Sequence, residues 1–166
     1  QTRQSPYRYD KDKGYVCTLS ALVIKSATAH LFHVGDTRIY RLRGSDLEQL
    51  TSDHRYWVSQ EVSYLGRALG VNPQIEIDYR ALPVETGDLF ILATDGVYEY
   101  AGLDFIIKAV QDHQNDLETA AKAIADEAYG QGSPDNLTTQ IIRIDSLPRL
   151  DADELYRRFT ELPFPP

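Results

Sequence analysis

Three aspartates in loops shaped by glycine or proline are the residues best suited to chemistry in this sequence. Asp36 lies in VGDTR, Asp95 in ATDG and Asp135 in SPDN, each beside a predicted strand. Hard divalent cations such as Mg²⁺ and Mn²⁺ prefer carboxylate oxygens to imidazole or thiolate ligands. If the three loops meet at one sheet edge, they suit a magnesium or manganese site. Aspartates at strand ends also form plain surface turns, and the spacing alone leaves both interpretations open.

The segment that must position Asp95 is a short, wholly apolar run. Residues 89–93 read LFILA, which is typical of a strand buried on both faces. The run delivers Thr94 and Asp95 to its carboxyl end. Gly96 follows and permits backbone conformations that a residue with a Cβ resists. A carboxylate at the end of a rigid strand is well placed to hold a metal ion.

Short strands separated by tight turns surround that central run. The predicted strands span residues 15–24, 29–34, 38–42, 47–50, 75–79, 89–93 and 137–144. Gly35-Asp36 supplies the turn between the second and third strands. This succession of short strands predicts an antiparallel meander.

Three segments have the apolar spacing of amphipathic helices. The first begins at Ser52 or Asp53 and ends at Gly70, and the second spans 103–110. The third begins with a capping box of Asn115 and Glu118 and ends at Gly130. The apolar stripe of the first is Val58, Val62, Leu65 and Leu69, and that of the third is Leu117, Ala121, Ile124 and Ala128. Strands, inserted helices and a final strand predict an α+β fold rather than an alternating βαβ fold.

Composition divides the chain and excludes some partners. We expect a lead-in loop at 1–14, a folded domain at 15–145 and a linker or tail at 146–166.

The net charge is −8 without a basic patch, so a nucleic-acid partner is disfavoured. No apolar run could span a bilayer, and no signal segment is visible, so we expect no membrane partner. The single cysteine, Cys17, fits a buried structural thiol in the cytoplasm. The sequence has no methionine, so we expect it to start inside a longer protein.

Six segments occur in a recognisable order along the chain. They are CTL at 17–19, HVGDTRIYRLR at 33–43, LEQLTSDHR at 47–55, GRALG at 66–70, GDLFILATDGVYE at 87–99 and SPDNLTTQII at 133–142. In order and context they resemble the carboxy-terminal half of the PPM family of metal-dependent protein phosphatases. These are the type 2C serine/threonine phosphatases, here of the bacterial type, and the resemblance covers residues 15–145.

The resemblance implies a partial α-β-β-α sandwich with antiparallel sheets, flanking helices and a two-metal centre at one edge. By position, Asp95 and Asp135 match the family's metal ligands, with Gly96 and Asn136 as supporting residues. Asp36 matches a residue that helps to hold a third, looser ion in some relatives. In that family a hydroxide that bridges two Mn²⁺ or Mg²⁺ ions attacks phosphorus in line, so no side chain acts as the nucleophile. The implied substrate is a phosphoserine or phosphothreonine protein.

The sequence also departs from the family pattern. The family uses an amino-terminal acidic motif and an Asp-Gly pair in a DGxGG-like motif, and neither occurs here. We therefore expect the longer protein to be the phosphatase and this chain alone to be inactive. The alternative is a non-catalytic, phosphatase-like regulatory or docking module. A haloacid-dehalogenase-type phosphatase would need Asp-x-Asp after the strand, but Val97 occupies the second position.

Further expectations concern partners and two basic residues. Open sheet edges would favour association with a second copy, and a tail ending in LPFPP suits a fused or partner serine/threonine kinase. The family has a pair like Asp53-His54, yet we expect His54 at a helix start or on the surface rather than in the site. We expect Arg38 to pair with a loop carboxylate rather than to clamp phosphate.

Overall fold

The computed structural model describes residues 16–57, 63–70 and 74–148. The described part of the fold begins with β-hairpins. The strands are β1 (Leu19–Lys25), β2 (Thr28–Val34), β3 (Arg38–Arg43), β4 (Asp46–Gln49), β5 (Arg55–Trp57), β6 (Ser63–Leu65), β7 (Asp78–Pro83), β8 (Leu89–Ala93) and β9 (Thr139–Arg143). The helices are α1 (Asp95–Ala101), α2 (Leu103–Asp112) and α3 (Leu117–Gly130). Each strand pairing among the described residues is antiparallel, as predicted. The predicted meander was wrong, because β2 and β3 lie in different sheets and the described chain begins with two separate hairpins instead.

The strands form two main sheets and a small hairpin. The three-stranded sheet has the order β1-β2-β7, and the four-stranded sheet has the order β4-β3-β8-β9. β5 and β6 form the separate hairpin. The apolar run 89–93 is β8, as predicted, and it lies between β3 and β9 inside the larger sheet. Because β8 is paired with a strand on each side, the position of Thr94 at its carboxyl end is held rigidly.

Alternation of side chains along the larger sheet creates two hydrophobic cores. On one face, Ile39 and Phe90 pack with Ala29 and Leu31 of the smaller sheet, which forms the interior of a sandwich. On the opposite face, Ile91 and its neighbours pack against the helices. Successive β residues point to opposite faces, so one buried strand serves both cores. The described part of the chain is therefore layered sheet, sheet, helices.

The helices confirm an α+β fold, but two details of the prediction were wrong. The N-cap of α3 is Asp116, whose Oδ1 accepts a hydrogen bond from Thr119 N at 3.1 Å, so the cap is one residue beyond Asn115. The buried stripe contains Ala120 rather than Ala121. α1 was not predicted, because a short helix directly after a strand has too few residues to display a 3.6-residue period.

The predicted helix from Ser52 or Asp53 to Gly70 was wrong. β5 and β6 occupy part of this stretch, with Tyr56 opposite Tyr64, while Val58 and Val62 lie outside the described residues. Aromatic residues favour strands, and cross-strand aromatic pairs stabilise hairpins. The Tyr56 ring covers Gly66, where an added Cβ would lie 2.3 Å from the ring. The three- and four-residue spacing of the apolar residues therefore wrongly indicated a helix in this stretch.

Two smaller predictions also need correction. The strand predicted at 75–79 is β7 at Asp78–Pro83, because pairing with β2 places Tyr79 opposite Phe32 and Leu82 opposite Ala29. Cys17 was expected to be buried, but it is exposed and forms only an isolated bridge with Leu69.

No helix in the described parts of the chain is long and apolar enough to cross a bilayer. The predicted lead-in at 1–14 and most of the tail at 146–166 lie outside the described residues.

Candidate metal centre

The loop that carries Asp36 depends on the glycine before it. Gly35 has a φ of 117°, and an added Cβ would lie 2.3 Å from Thr18 Cγ2, so both conformation and space require glycine. Asp36 itself is only 7% exposed. Its backbone oxygen accepts a hydrogen bond from the Tyr98 hydroxyl at 3.0 Å. The loop is thereby fixed to α1, the helix that begins at Asp95.

His54 holds the same loop from the other side. Its Nδ1 accepts a hydrogen bond from Gly35 N at 3.1 Å, and its backbone N donates to Gly35 O at 2.8 Å. Because Nδ1 accepts, the proton lies on Nε2, which donates to Asp78 Oδ2 at 2.9 Å. The prediction that His54 begins a helix or lies on the surface was wrong. The residue is buried and positions the Asp36 loop.

Asp95 lies at the amino end of α1, directly beyond the central strand. Its Oδ1 accepts a hydrogen bond from Gly96 N at 2.9 Å. Helix amino ends present unsatisfied N–H groups and favour negative charge, which suits a carboxylate here. The Asp95 side chain keeps 30% of its surface exposed, so it remains open to a ligand from solvent.

The loop that carries Asp135 packs directly against Gly96. A Cβ added to Gly96 would lie 3.0 Å from Asp135 Cβ and 2.8 Å from Asn136 O. Thr94 ties the loop to the central strand, because its backbone N donates to Thr138 O at 3.1 Å. Asp135 is exposed, and its Oδ1 accepts from Asn136 N at 2.7 Å. The Asp135 loop and the amino end of α1 therefore share one edge of the larger sheet.

Arg55 joins the acidic groups at this edge. Its Nε donates to Asp36 Oδ2 at 2.6 Å, and two other guanidinium nitrogens contact Asp95 Oδ2 at 2.5 Å and Glu99 Oε1 at 2.7 Å. The Arg55 side chain is only 13% exposed. Burial disfavours its charge, but the hydrogen bond to Asp36 and the surrounding negative charges outweigh burial and raise the pKa of Arg55. The guanidinium is thus a permanent cation among carboxylates.

Arg55 and Glu99 were not predicted as site residues. Glu99 follows Asp95 by four positions, and residues at that spacing share one face of a helix. Recognition of α1 would have revealed it. Arg55 is adjacent to His54 in sequence, but its role depends on a hairpin that was predicted as a helix. Arg38 pairs with Asp53, with Nη2 to Oδ2 at 2.7 Å, which confirms the prediction of a structural ion pair.

The residues at this edge fit a hard divalent cation in chemistry but fall short in number. Their donor atoms are carboxylate oxygens, which Mg²⁺ and Mn²⁺ prefer. Among the described residues, however, no three acidic, histidine or cysteine side chains are arranged as a metal-binding group. Asp36 and Asp95 instead share Arg55, and Asp135 lies beside Gly96. Among the described residues the three loop aspartates therefore do not form a complete metal site, and Arg55 neutralises two of them.

The comparison with known families decides the wider assignment. Residues 8–140 match the family model described as "Protein phosphatase 2C". The chain belongs to the protein phosphatase 2C family. This family is the one that the six sequence segments resembled, and the match includes the Asp36, Asp95 and Asp135 loops. The fold supports it, because the catalytic domain of a solved serine/threonine phosphatase superposes on this chain.

Curated relatives are bacterial serine/threonine phosphatases. The chain is 27% identical over 147 residues to "Serine/threonine phosphatase stp" of Listeria monocytogenes, covering 80% of this chain and 58% of that protein. It is 26% identical over 143 residues to "Serine/threonine protein phosphatase PstP" of Mycobacterium tuberculosis, covering 78% of this chain and 27% of that protein. The chain thus spans little more than half the length of the Listeria phosphatase.

Solved structures share the same fold. PppA, described as a key regulatory component of T6SS in Pseudomonas aeruginosa, superposes with a TM-score of 0.75 and 28% identity, covering 86% of this chain and 63% of PppA. The catalytic domain of the phosphatase PstP, solved in complex with two manganese ions, superposes with a TM-score of 0.70 and 25% identity. That alignment covers 84% of this chain and 63% of the PstP chain.

Proposed function

We propose that this chain forms the carboxy-terminal part of a metal-dependent serine/threonine protein phosphatase that hydrolyses phosphoserine or phosphothreonine in proteins. One observation carries the proposal. Asp95 and the Asp135 loop share one sheet edge, and the close contact between that loop and Gly96 brings them there. Family membership and the two manganese ions in the PstP neighbour support the same conclusion.

In this proposal Asp95 and Asp135 hold divalent cations, and Asp36 contributes to a further cation. Bound Mn²⁺ or Mg²⁺ would supply activation of water at neutral pH and neutralisation of phosphoryl charge. The chain's own residues keep the ligands in place. His54 and Tyr98 fix the Asp36 loop, while Gly96 admits the Asp135 loop. No side chain near this edge is proposed as a nucleophile.

The proposal is tested first by metal binding to the chain 1–166. Titration with Mn²⁺, followed by electron paramagnetic resonance of free Mn²⁺, should show that Asp95→Asn and Asp135→Asn each weaken binding by about tenfold or more, since each removes a charged ligand. Asp126→Asn is the matched control, because Asp126 lies on the exposed face of α3 and pairs only with Lys122. Equal affinities in all variants would contradict the ligand assignment.

Activity is tested in the longer protein that includes the sequence encoded upstream. We expect Mn²⁺-dependent release of phosphate from a phosphothreonine peptide, loss of that activity in Asp95→Asn, and no turnover by the chain 1–166 alone. Turnover by Asp95→Asn at saturating Mn²⁺ would count against the proposed role of this carboxylate. Turnover by the isolated chain would show that residues upstream are dispensable.

A second candidate function is a non-catalytic, phosphatase-like docking module. The pairing of Arg55 with Asp36 and Asp95 favours it, because an arginine can satisfy these carboxylates without a metal. This candidate predicts no Mn²⁺ binding and no phosphatase activity even in the longer protein. The metal titration and the peptide assay therefore separate the two functions.

The partners follow from the proposed reaction. The substrate is a phosphoprotein, so a serine/threonine kinase, fused or separate, must supply it. A cytoplasmic location is consistent with a single cysteine and no disulfide-forming partner for it. Association with a second copy through an edge strand of either sheet (β1 or β7, β4 or β9) is the oligomeric form that open sheet edges favour.

A further inference from the structure

Arg55 satisfies three carboxylates at once. Asp36, Asp95 and Glu99 each accept a hydrogen bond from a different nitrogen of its guanidinium. Hydrogen bonds between ionised groups are stronger than those between neutral groups, and the rigid fork of arginine binds several oxygens without bending. The guanidinium therefore occupies the position between the three carboxylates that another cation would otherwise take.

Both carboxylate oxygens of Asp95 already accept a hydrogen bond. Its Oδ2 accepts from Arg55, and its Oδ1 accepts from Gly96 N. Asp36 is nearly buried, and its Oδ2 is also bound by Arg55. A metal ion that binds Oδ2 of Asp36 or Asp95 competes with the guanidinium, because two cations on the same oxygen repel each other strongly.

We propose that Arg55 is an internal competitor for divalent cations at Asp36 and Asp95, so that it lowers the affinity of this edge for metal. The inference rests on the proposed metal site. Arg55 stabilises the metal-free edge by balancing the three carboxylates, and it leaves them when metal binds. The residue therefore sets the metal concentration at which the site fills.

The first test is Mn²⁺ affinity of the chain 1–166, measured by electron paramagnetic resonance of free Mn²⁺. We expect Arg55→Ala to bind Mn²⁺ about tenfold or more tightly than the wild type, because hydrogen bonds to charged groups no longer have to be broken. Arg80→Ala is the matched control. It removes the same charge, but Arg80 pairs with Glu48, and within the described part of the chain its hydrogen bonds go to Glu48 and Leu50 rather than to this edge.

The second test is thermal stability with and without Mn²⁺. Without metal, Arg55→Ala should melt at a lower temperature than the wild type, since three neighbouring carboxylates lose their counter-ion. Mn²⁺ at the same saturating concentration should raise its melting temperature by more than it raises that of the wild type, because ligand stabilisation grows with the logarithm of the ligand concentration over the dissociation constant. Arg80→Ala should respond to Mn²⁺ as the wild type does.

Arg55→Lys keeps the inference testable if Arg55→Ala does not fold. Lysine retains the charge but contacts carboxylates as a point charge rather than a fork, so its Mn²⁺ affinity should lie between those of wild type and Arg55→Ala. Mn²⁺ affinity unchanged in both variants overturns the inference and leaves the proposed function intact. Absence of Mn²⁺ binding in every variant overturns both.

Discussion

At the scale of single residues, His33 shows how burial controls charge next to the candidate site. Its Nε2 donates to Ser52 O at 3.1 Å, and its Nδ1 lies 2.8 Å from Ser20 Oγ. The imidazole is 2% exposed. Burial, and secondly the neighbouring ring of His54 at 4.9 Å, lower the pKa of His33 below its ordinary value. The folded protein therefore holds His33 neutral.

This lowered pKa predicts a loss of stability in mild acid. The unfolded chain binds a proton at about pH 6.5, whereas the folded chain binds it only at lower pH. The stabilising contribution is complete above that value and is lost as the pH falls below it. Urea unfolding of wild type and His33→Gln between about pH 8 and pH 5 should show a smaller acid loss in the variant. Leu103→Ala, at an exposed position without a titratable group, should keep the wild-type pH dependence.

The histidines and acidic groups also show what could be predicted at this scale. Asp36, Asp95 and Asp135 were predicted as candidate ligands because glycine or proline beside an aspartate at a strand end is visible in the sequence. Arg55 was not, because nothing local distinguishes a buried arginine that bridges carboxylates from a solvated one. His54 was misassigned for the same reason, since its partners Gly35 and Asp78 are distant in sequence.

At the scale of elements, the junction of β8 with α1 depends on Gly96. A Cβ there would meet a backbone oxygen of Asn136 at 2.8 Å and Cβ of Asp135 at 3.0 Å. Neither atom is the flexible end of a side chain, so the loop itself would have to move. The glycine allows a strand end, a helix start and the Asp135 loop to meet at one point.

Gly96→Ala should therefore both destabilise the fold and weaken metal binding. Overpacking of this kind costs about 1–3 kcal/mol in the free energy of unfolding, measurable by urea denaturation. Displacement of the Asp135 loop should also reduce Mn²⁺ affinity in the titration of the chain 1–166. Gly130→Ala is the control, because an added Cβ at Gly130 would meet nothing within 4 Å. Unchanged stability and Mn²⁺ affinity in Gly96→Ala would refute the close approach.

Element types were predicted well where the local pattern was strong. β2, β3, β8 and α2 follow their predicted spans closely, because alternation, a buried apolar run or an amphipathic period marked each of them. The β5–β6 hairpin was missed, since its few residues also fit a helical period and their pairing is not local. Tertiary pairing overrode the period there.

At the scale of the whole molecule, the larger sheet links the two cores. Phe90 contributes to the core between the sheets, and Ile91 contributes to the core beneath the helices. Both side chains are 0% exposed. Because adjacent residues of one strand serve both cores, loss of either core should disturb the other. We therefore expect the described domain to unfold as one cooperative unit.

Phe90→Ala tests this linkage. Truncation of a buried phenylalanine costs about 3–5 kcal/mol, and the loss should appear equally in the far-ultraviolet signal of the helices and the near-ultraviolet signal of the tyrosines. Leu103→Ala is the control, because Leu103 is 46% exposed and should change stability little. Unfolding of the helices at a different urea concentration from the tyrosine signal would contradict a single unit.

The sequence by itself determined the family and the antiparallel α+β character, and it singled out the three loop aspartates as candidate ligands, because each of these depends on short motifs or local periodicity. Tertiary structure alone decided what surrounds those aspartates. Arg55 and Glu99 come together with Asp36 and Asp95 only when β5, α1 and the β2–β3 loop converge. Such contacts join residues some twenty to forty positions apart, as between Arg55 and Asp36 or Asp95. They are set by the packing of sheets and helices, which no local pattern records.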